Sequence, residues 1–289
     1  MKNTLSISMY SGFSSLVKKQ GIENAAKFAS SLGFSSVEFF DMAQGSKAPT
    51  FQNVQEAKIA KKILNRYGLS VSCYSVGANV VTIDSGVKKN TEAIDALKNF
   101  ADIAAALGSP FLHHTLIINL SLPQGAPDYE EVLAPVVSGA CEVADYCQKL
   151  GLTCLYEDQG MYFNGITGFK RFFDLMKTKC QNVGVCGDIG NSLFVDIEPK
   201  YFFNEFVGDI KHVHLKDYCI LDNENAKFHS KGGKGLKSVP IGCGDIDIIS
   251  CFDVLKENGY SGAIALEDDF VENYDAVTKQ TFEFLKNIL

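Results

Sequence analysis

The segment from Asp209 to Asp217 reads D-I-K-H-V-H-L-K-D. As a strand it sends Ile210, His212, His214 and Lys216 to one face and Lys211, Val213 and Leu215 to the other. The chain has five histidines. Two of them lie two residues apart, where both imidazoles can point into one pocket and offer nitrogen to a divalent metal. Taken alone, H-x-H slightly favours two hydrogen-bonded histidines at a strand end. Three acidic residues tip the balance, because Glu157, Asp188 and Glu267 each close a short apolar run. If they converge with the histidine pair, repulsion becomes the governing fact. Two like charges ~4 Å apart repel by about 4 kcal/mol at an effective dielectric near 20. Three ionised carboxylates in one pocket therefore need protons or a cation, and a divalent ion supplies it. Oxygen-rich ligation with one imidazole favours one Mn(II) or Mg(II) ion, with Co(II) and Zn(II) also suited. Lys216, two residues beyond His214, is placed to offset the remaining negative charge.

Such a site exists only if neighbouring strands end together. Apolar and β-rich runs predict strands at residues 4–9, 36–40, 69–74, 110–115, 152–157, 183–188, 212–215 and 263–267. Helical periodicity follows each of them, at residues 22–32, 54–67, 91–107, 129–150, 167–176, 199–206, 246–258 and 274–288. Gly33, Gly68, Gly108, Gly151 and Gly259 punctuate the helix ends, each shortly before a strand. Eight strand and helix units without a linker predict an α/β fold, a single (β/α)8 TIM barrel domain over residues 1–289. The first strand is not followed by G-x-G-x-x-G, which argues against an open dinucleotide-binding sheet. In a barrel of this kind the chemistry sits where strands end and the following loops begin. Those ends carry Glu157, Asp188, His214 and Glu267; Asp268 and Asp269 read as loop or first-turn charges.

Bulk properties narrow the function classes. A chain of 289 residues with 46% hydrophobic content supports a sizeable core. The net charge is -7 and the acidic residues are spread along the chain, so neither nucleic acid nor an anionic membrane is an expected partner. Nine cysteines, scattered and without C-x-x-C, fit reduced thiols and a cytoplasmic home. The opening M-K-N-T-L-S-I-S-M-Y lacks the continuous apolar core of a signal peptide, and no run reaches transmembrane length. A homo-oligomer is compatible with the barrel.

The order Glu157, Asp188, His212-Val213-His214, Glu267 across strands five to eight resembles the xylose-isomerase-like barrel superfamily of sugar phosphate isomerases and epimerases, which includes ketose 3-epimerases and inosose dehydratases. The likeness runs along the whole chain and is most motif-specific from Glu157 onward. S-S-V-E-F-F at Ser35 to Phe40 resembles that superfamily's second strand, V-P-I-G-C-G-D-I-D at Val239 to Asp247 its Gly-rich turn, and A-I-A-L-E-D its last strand. The resemblance implies that Glu157, Asp188, His214 and Glu267 hold the metal, and that Glu157 and Glu267 are the catalytic pair. The metal polarises a ketone, one glutamate removes the neighbouring carbon-bound proton, and the other returns one to the opposite face. The implied activity is a metal-dependent isomerase or epimerase of a small sugar or polyol ketone. An inosose-type dehydratase, or a non-catalytic barrel binding a sugar or metal, are the alternatives. One departure is clear: the superfamily's D-x-x-H becomes Asp188-Ile189-Gly190-Asn191. Asn191 can hydrogen-bond a hydroxyl but is no acid or base at neutral pH. Five histidines and an acidic balance argue against the superfamily's multi-zinc apurinic-site endonucleases.

Around this centre, Asn191, His212, Lys216, Glu38 and His114 are expected to contact substrate. Glu38 interrupts an apolar strand and suits either a sugar hydroxyl or a lysine. Alternation lets only one of His113 and His114 face the barrel axis. Gly242, Cys243 and Gly244 form either an amide cradle for an anion or a tight loop before an Asp245 or Asp247 cap. Lys231, Lys234 and Lys237 form either a lid over an anionic group or a solvated face. Tyr10, Tyr74 and Phe194 suit the apolar side of a sugar ring or the core.

Overall fold

Strands buried on both faces read as near-continuous apolar runs, which a parallel sheet wrapped by helices requires. The computed structural model, which describes residues 4–45, 48–84, 86–119, 122, 124–222, 226–268 and 273–288, has that arrangement. Its barrel strands are β1 (Thr4–Ser8), β2 (Ser36–Met42), β3 (Ser70–Gly77), β4 (Phe111–His114), β5 (Thr153–Tyr156), β6 (Val183–Asp188), β7 (Ile210–Leu215) and β8 (Ala263–Leu266). Each pairs in parallel with its sequence neighbours, and β1 pairs with β8, so the sheet closes into a (β/α)8 barrel. The helices are α1 (Phe13–Leu32), α2 (Val54–Arg66), α3 (Thr91–Leu107), α4 (Tyr129–Lys149), α5 (Ile166–Lys179), α6 (Pro199–Phe206), α7 (Ile248–Glu257) and α8 (Tyr274–Ile288).

Burial of the outward strand residues against these helices holds the shell together. Between α5 and α6, Phe169, Phe172, Phe173, Phe202 and Phe203 are fully buried, each contributing about 1.5–3 kcal/mol relative to exposure. Inside the barrel the lower layer is small and apolar, built from Cys73, Leu155 and Cys186 against Phe111. None of the nine cysteines is in a disulfide.

Local chemistry sets the element boundaries. Gly33 (φ 101°) and Gly108 (φ 81°) close α1 and α3 in the left-handed conformation, donating backbone N–H to the last carbonyls. The first helix is kinked at Gly21 (φ 80°, ψ 163°), so the expected segment at 22–32 follows a further helical stretch from Phe13 that its periodicity does not predict. The seventh helix starts at Ile248, because the Asp247 carboxylate caps the Ser250 N–H at 3.1 Å. After β7 the chain does not run straight to a helix. Asp217–Leu221, Phe228–His229 and Gly235–Val239 form a three-stranded antiparallel sheet beside the barrel mouth. No described helix is long and apolar enough to cross a membrane.

Candidate active site

Parallel register brings the strand ends level. His214 on β7 is the register partner of Asp188 on β6 and of Ala265 on β8, and Glu267 N–H donates to Leu215 O at 2.9 Å just beyond. The inward residues of neighbouring strands therefore rise in steps: Leu155 to Glu157, Cys186 to Asp188, His212 to His214, Ala265 to Glu267. His214 Nδ1 lies 3.3 Å from Glu157 Oε2, 3.2 Å from Glu267 Oε1 and 3.9 Å from Asp188 Oδ2. Lys216 Nζ sits 2.8 Å from Asp188 Oδ2 and 2.7 Å from Glu267 Oε2. Glu157, His214, Lys216, Glu267 and Asn191 all line one cavity of about 310 Å³ at the barrel mouth.

Glu38, beneath this floor, is fully buried. Its Oε2 lies 3.0 Å from His212 Nε2 and its Oε1 lies 2.9 Å from His214 Nε2. Burial pushes its carboxyl up, but the facing His214 and His212 more than reverse this and hold it well below the usual carboxylate range. An ionised carboxylate only accepts hydrogen bonds, so both imidazoles donate through Nε2. That fixes the free edge of His214: Nδ1, with a lone pair or a proton, is the atom that faces the three carboxylates. Ser75 Oγ also donates to Glu38 Oε1. With its proton committed there, Ser75 accepts from His113 Nδ1 at 3.0 Å. His113 Nε2 is left as an acceptor 3.6 Å from Glu157 Oε1.

Ionisation follows from this crowding. Burial opposes charge on His214, yet Cys186, Glu267 and Glu38 carry it well above the ordinary histidine value. Burial likewise opposes charge on Lys216, and Asp188 and Glu267 raise it well above the ordinary lysine value. Burial raises Glu267 to about 7 against the pull of His214 and Lys216. Burial also opposes ionisation of Glu157, but His113 and His214 bring it down to about 2. Burial raises Asp188, with Lys216 opposing, and lowers His113 to about 4.

A divalent ion fits these residues. A lone pair on His214 Nδ1 facing three carboxylates is repulsive, and only a proton or a cation relieves it. Three oxygen donors and one imidazole converge there, with the imidazole oriented from behind by Glu38, as metal-bound histidines commonly are. His113 with Glu157, and Glu38 with Glu267, also lie close enough around His214 for shared coordination.

Several expected substrate contacts are placed differently. His114 is turned out of the cavity: fully buried, with Nδ1 on Thr115 O at 3.0 Å and its ring edge-on to Tyr156. The cavity-facing residue of that pair is His113. Glu38 and His212 lie below the cavity, bonded to each other, and Glu38 pairs with histidines where a lysine was the expected alternative. Asn191 and Lys216 do line it. The Asn191 backbone N–H donates to Asp188 Oδ1 at 2.9 Å, while its buried Nδ2 has no hydrogen-bond partner among the described residues. Tyr10 and Phe194 line the cavity, whereas Tyr74 is core, its hydroxyl on Asp41 Oδ2 at 2.5 Å. The Gly242 and Gly244 amides are taken by Asp217 Oδ2 at 2.9 and 2.8 Å, so they cradle a side chain of the protein. Lys231, Lys234 and Lys237 are not among the cavity-lining residues; Tyr218 and Phe228 of the same excursion are. Asp269 lies outside the described residues. Ser75, Gln159, Tyr218 and Phe228 line the cavity unforeseen; Gln159 and Tyr218 lie two residues beyond Glu157 and Lys216, and that spacing is the signal that could have found them.

Comparison with known proteins gives a consistent result. The family model described as xylose isomerase-like TIM barrel matches residues 26–288. A curated inosose dehydratase of Clostridium botulinum (strain Alaska E43 / Type E3) is 26% identical over 273 residues, covering 87% of this chain and 83% of the relative. Among solved structures, a D-allulose 3-epimerase from Methylomonas sp. aligns with a TM-score of 0.72 at 16% identity, covering 100% of this chain and 98% of the other. A xylose isomerase-like TIM barrel protein from Mycobacterium smegmatis, in complex with magnesium, aligns with a TM-score of 0.70 at 15% identity and the same coverage.

Proposed function

The chain belongs to the xylose isomerase-like TIM barrel family, and on that premise we propose that it is a metal-dependent isomerase or epimerase of a small, uncharged sugar or polyol ketone. The observation that carries this is the convergence of Glu157, Asp188 and Glu267 on His214 Nδ1, at 3.3, 3.9 and 3.2 Å. These four residues would hold one divalent ion, magnesium or manganese by the oxygen-rich donor set. When bound, it supplies Lewis-acid polarisation of the substrate carbonyl, which makes the adjacent C–H acidic.

The protein's own groups do the rest. One of Glu157 and Glu267 removes the proton from the carbon next to the carbonyl: the C–H pair moves into the C–C bond, and the carbonyl pair moves onto oxygen. The other glutamate returns a proton to that carbon, from the opposite face for epimerisation. His113 Nε2 and Asn191 Nδ2 are positioned to accept from and donate to substrate hydroxyls. Lys216, between Asp188 and Glu267, offsets their charge. Among the described lining residues Lys216 is the one lysine or arginine, and it is already paired with Asp188 and Glu267, which favours an uncharged substrate.

Dehydration is the second reading, favoured by the relative named an inosose dehydratase. It shares the first step and then expels hydroxide from the neighbouring carbon. Against it stands Asn191, which has no acid proton for the leaving group. Incubation of the magnesium-loaded protein with ketohexoses and inososes in D2O, followed by NMR and mass spectrometry, separates the cases. Carbon-bound deuterium at unchanged composition supports epimerisation or isomerisation, and a product lighter by one water supports dehydration. No exchange and no water loss with any of them would contradict both.

A further inference from the structure

Beside the reaction cavity lies a second, larger cleft of about 610 Å³. It is built from the end of β1 and the start of α1, which give Ser11, Ser14 and Lys18, and from the end of β2 and its loop, which give Asp41 and Thr50. Tyr10, Phe40 and Met42 line both spaces. This seam is unusual in its surface. Tyr10 is 44% and Met42 38% exposed, among the most exposed large apolar side chains of the described residues. Tyr10 also packs edge-on against Phe40 at 4.7 Å, which holds the aromatic ring as a wall between the two spaces. Exposed aromatic and thioether groups beside hydroxyls are suited to the mixed apolar and polar faces of a sugar ring.

Size and charge define the occupant. The reaction cavity is at the small end of ligand sites and takes one sugar-sized ring, while the cleft offers room for another. Among the described residues its lining contains one cation, Lys18, which acts electrostatically on Asp41. The Asp41 oxygens already accept from Thr50 N–H, Thr50 Oγ1 and Tyr74 Oη. Among the described residues the lining offers no cluster of basic groups for a phosphate or a uronate. We propose that the substrate is a two-unit neutral carbohydrate: a ketose ring in the reaction cavity, joined to a second uncharged sugar unit that crosses Tyr10 and Met42 into the cleft. This rests on the reading that the reaction cavity handles a sugar or polyol ketone.

Saturation-transfer NMR with magnesium-loaded wild-type protein tests it, using D-fructose and three disaccharides of the same ketose: turanose, isomaltulose and lactulose. The expected result is transfer to both rings of at least one disaccharide, with at least tenfold tighter binding than D-fructose. Ser14→Trp, which fills the cleft, brings that ratio down to about one, and Lys18→Trp provides a second fill should the first variant fold poorly. Transfer confined to the ketose ring, none with any of the three, or an affinity ratio unmoved by either folded variant would overturn the proposal. Proton exchange in D2O keeps the two readings apart. Exchange with contact at the ketose ring alone retains the function and removes the second unit, whereas contact at both rings without exchange does the reverse.

Discussion

Glu38 is the residue on which the orientation of the site depends, although it does not line the cavity. Its two oxygens each take one imidazole, and this alone decides which edge of His214 meets the three carboxylates. Supporting carboxylates of this kind are commonly worth 10–100-fold in metal affinity. Glu38→Gln can still accept through one oxygen but presents an N–H to the other imidazole, so one histidine must turn or change tautomer. The expected outcome is magnesium or manganese binding weakened about 10–100-fold in a calorimetric titration, with the barrel still folded by circular dichroism. Affinity equal to wild type would show that His214 is oriented by something else. The sequence marks Glu38 as an acidic interruption of an apolar strand, but not its partners, because they come from β7 across the barrel interior.

At the scale of elements, the excursion after β7 brings Tyr218 and Phe228 to the cavity, and it is pinned where Asp217 meets the turn at Gly242 and Gly244. Asp217 Oδ2 accepts both amides, and a Cβ at residue 244 would lie 2.2 Å from Asp217 Oδ1 and 2.6 Å from Tyr218 O. Gly244→Ala must therefore open the turn or displace Asp217. A loss of about 1–3 kcal/mol is expected in denaturant unfolding, with metal content retained, because no metal-binding side chain sits on that turn. Unchanged stability would mean that the turn yields freely. The eight strand and helix units were legible in the sequence, since the two periodicities and the glycine stops act locally. The three-stranded excursion was not: its pairs, such as Asp217 with Val239, join residues far apart along a stretch with little alternation. The same limit explains His113 and His114, whose alternation says that one faces inward without saying which.

For the molecule as a whole, the cost of gathering these charges appears in its pH dependence. Glu267 is raised from 4.5 to about 7 by burial, so its folded form prefers the proton. Its contribution is fully present below about 4.5 and is lost as pH rises through about 7, on the order of 3 kcal/mol for a shift of this size. Glu157, lowered to about 2, contributes in the other direction, with stability present above about 4.5 and lost as pH falls toward 2. Chelator-treated protein should therefore lose melting temperature between pH 5 and pH 8, and Glu267→Gln should flatten that slope. A slope identical in the variant would remove Glu267 as its source. Metal ligation requires the ionised carboxylates, so magnesium should raise the melting temperature more at pH 8 than at pH 6. At about 100 times its dissociation constant it would add about 2.7 kcal/mol.

The most direct measurement is the metal content of the purified protein after dialysis against trace manganese, magnesium, cobalt and zinc, beside His214→Ala and Glu267→Gln. The convergence of Glu157, Asp188, His214 and Glu267 requires about one tightly held divalent ion per chain in the wild type, with occupancy lost in both variants while the barrel stays folded. A wild type without an ion, or an ion indifferent to both substitutions, would mean that His214 and Lys216 neutralise these carboxylates by themselves and that enolisation at this site has no Lewis acid.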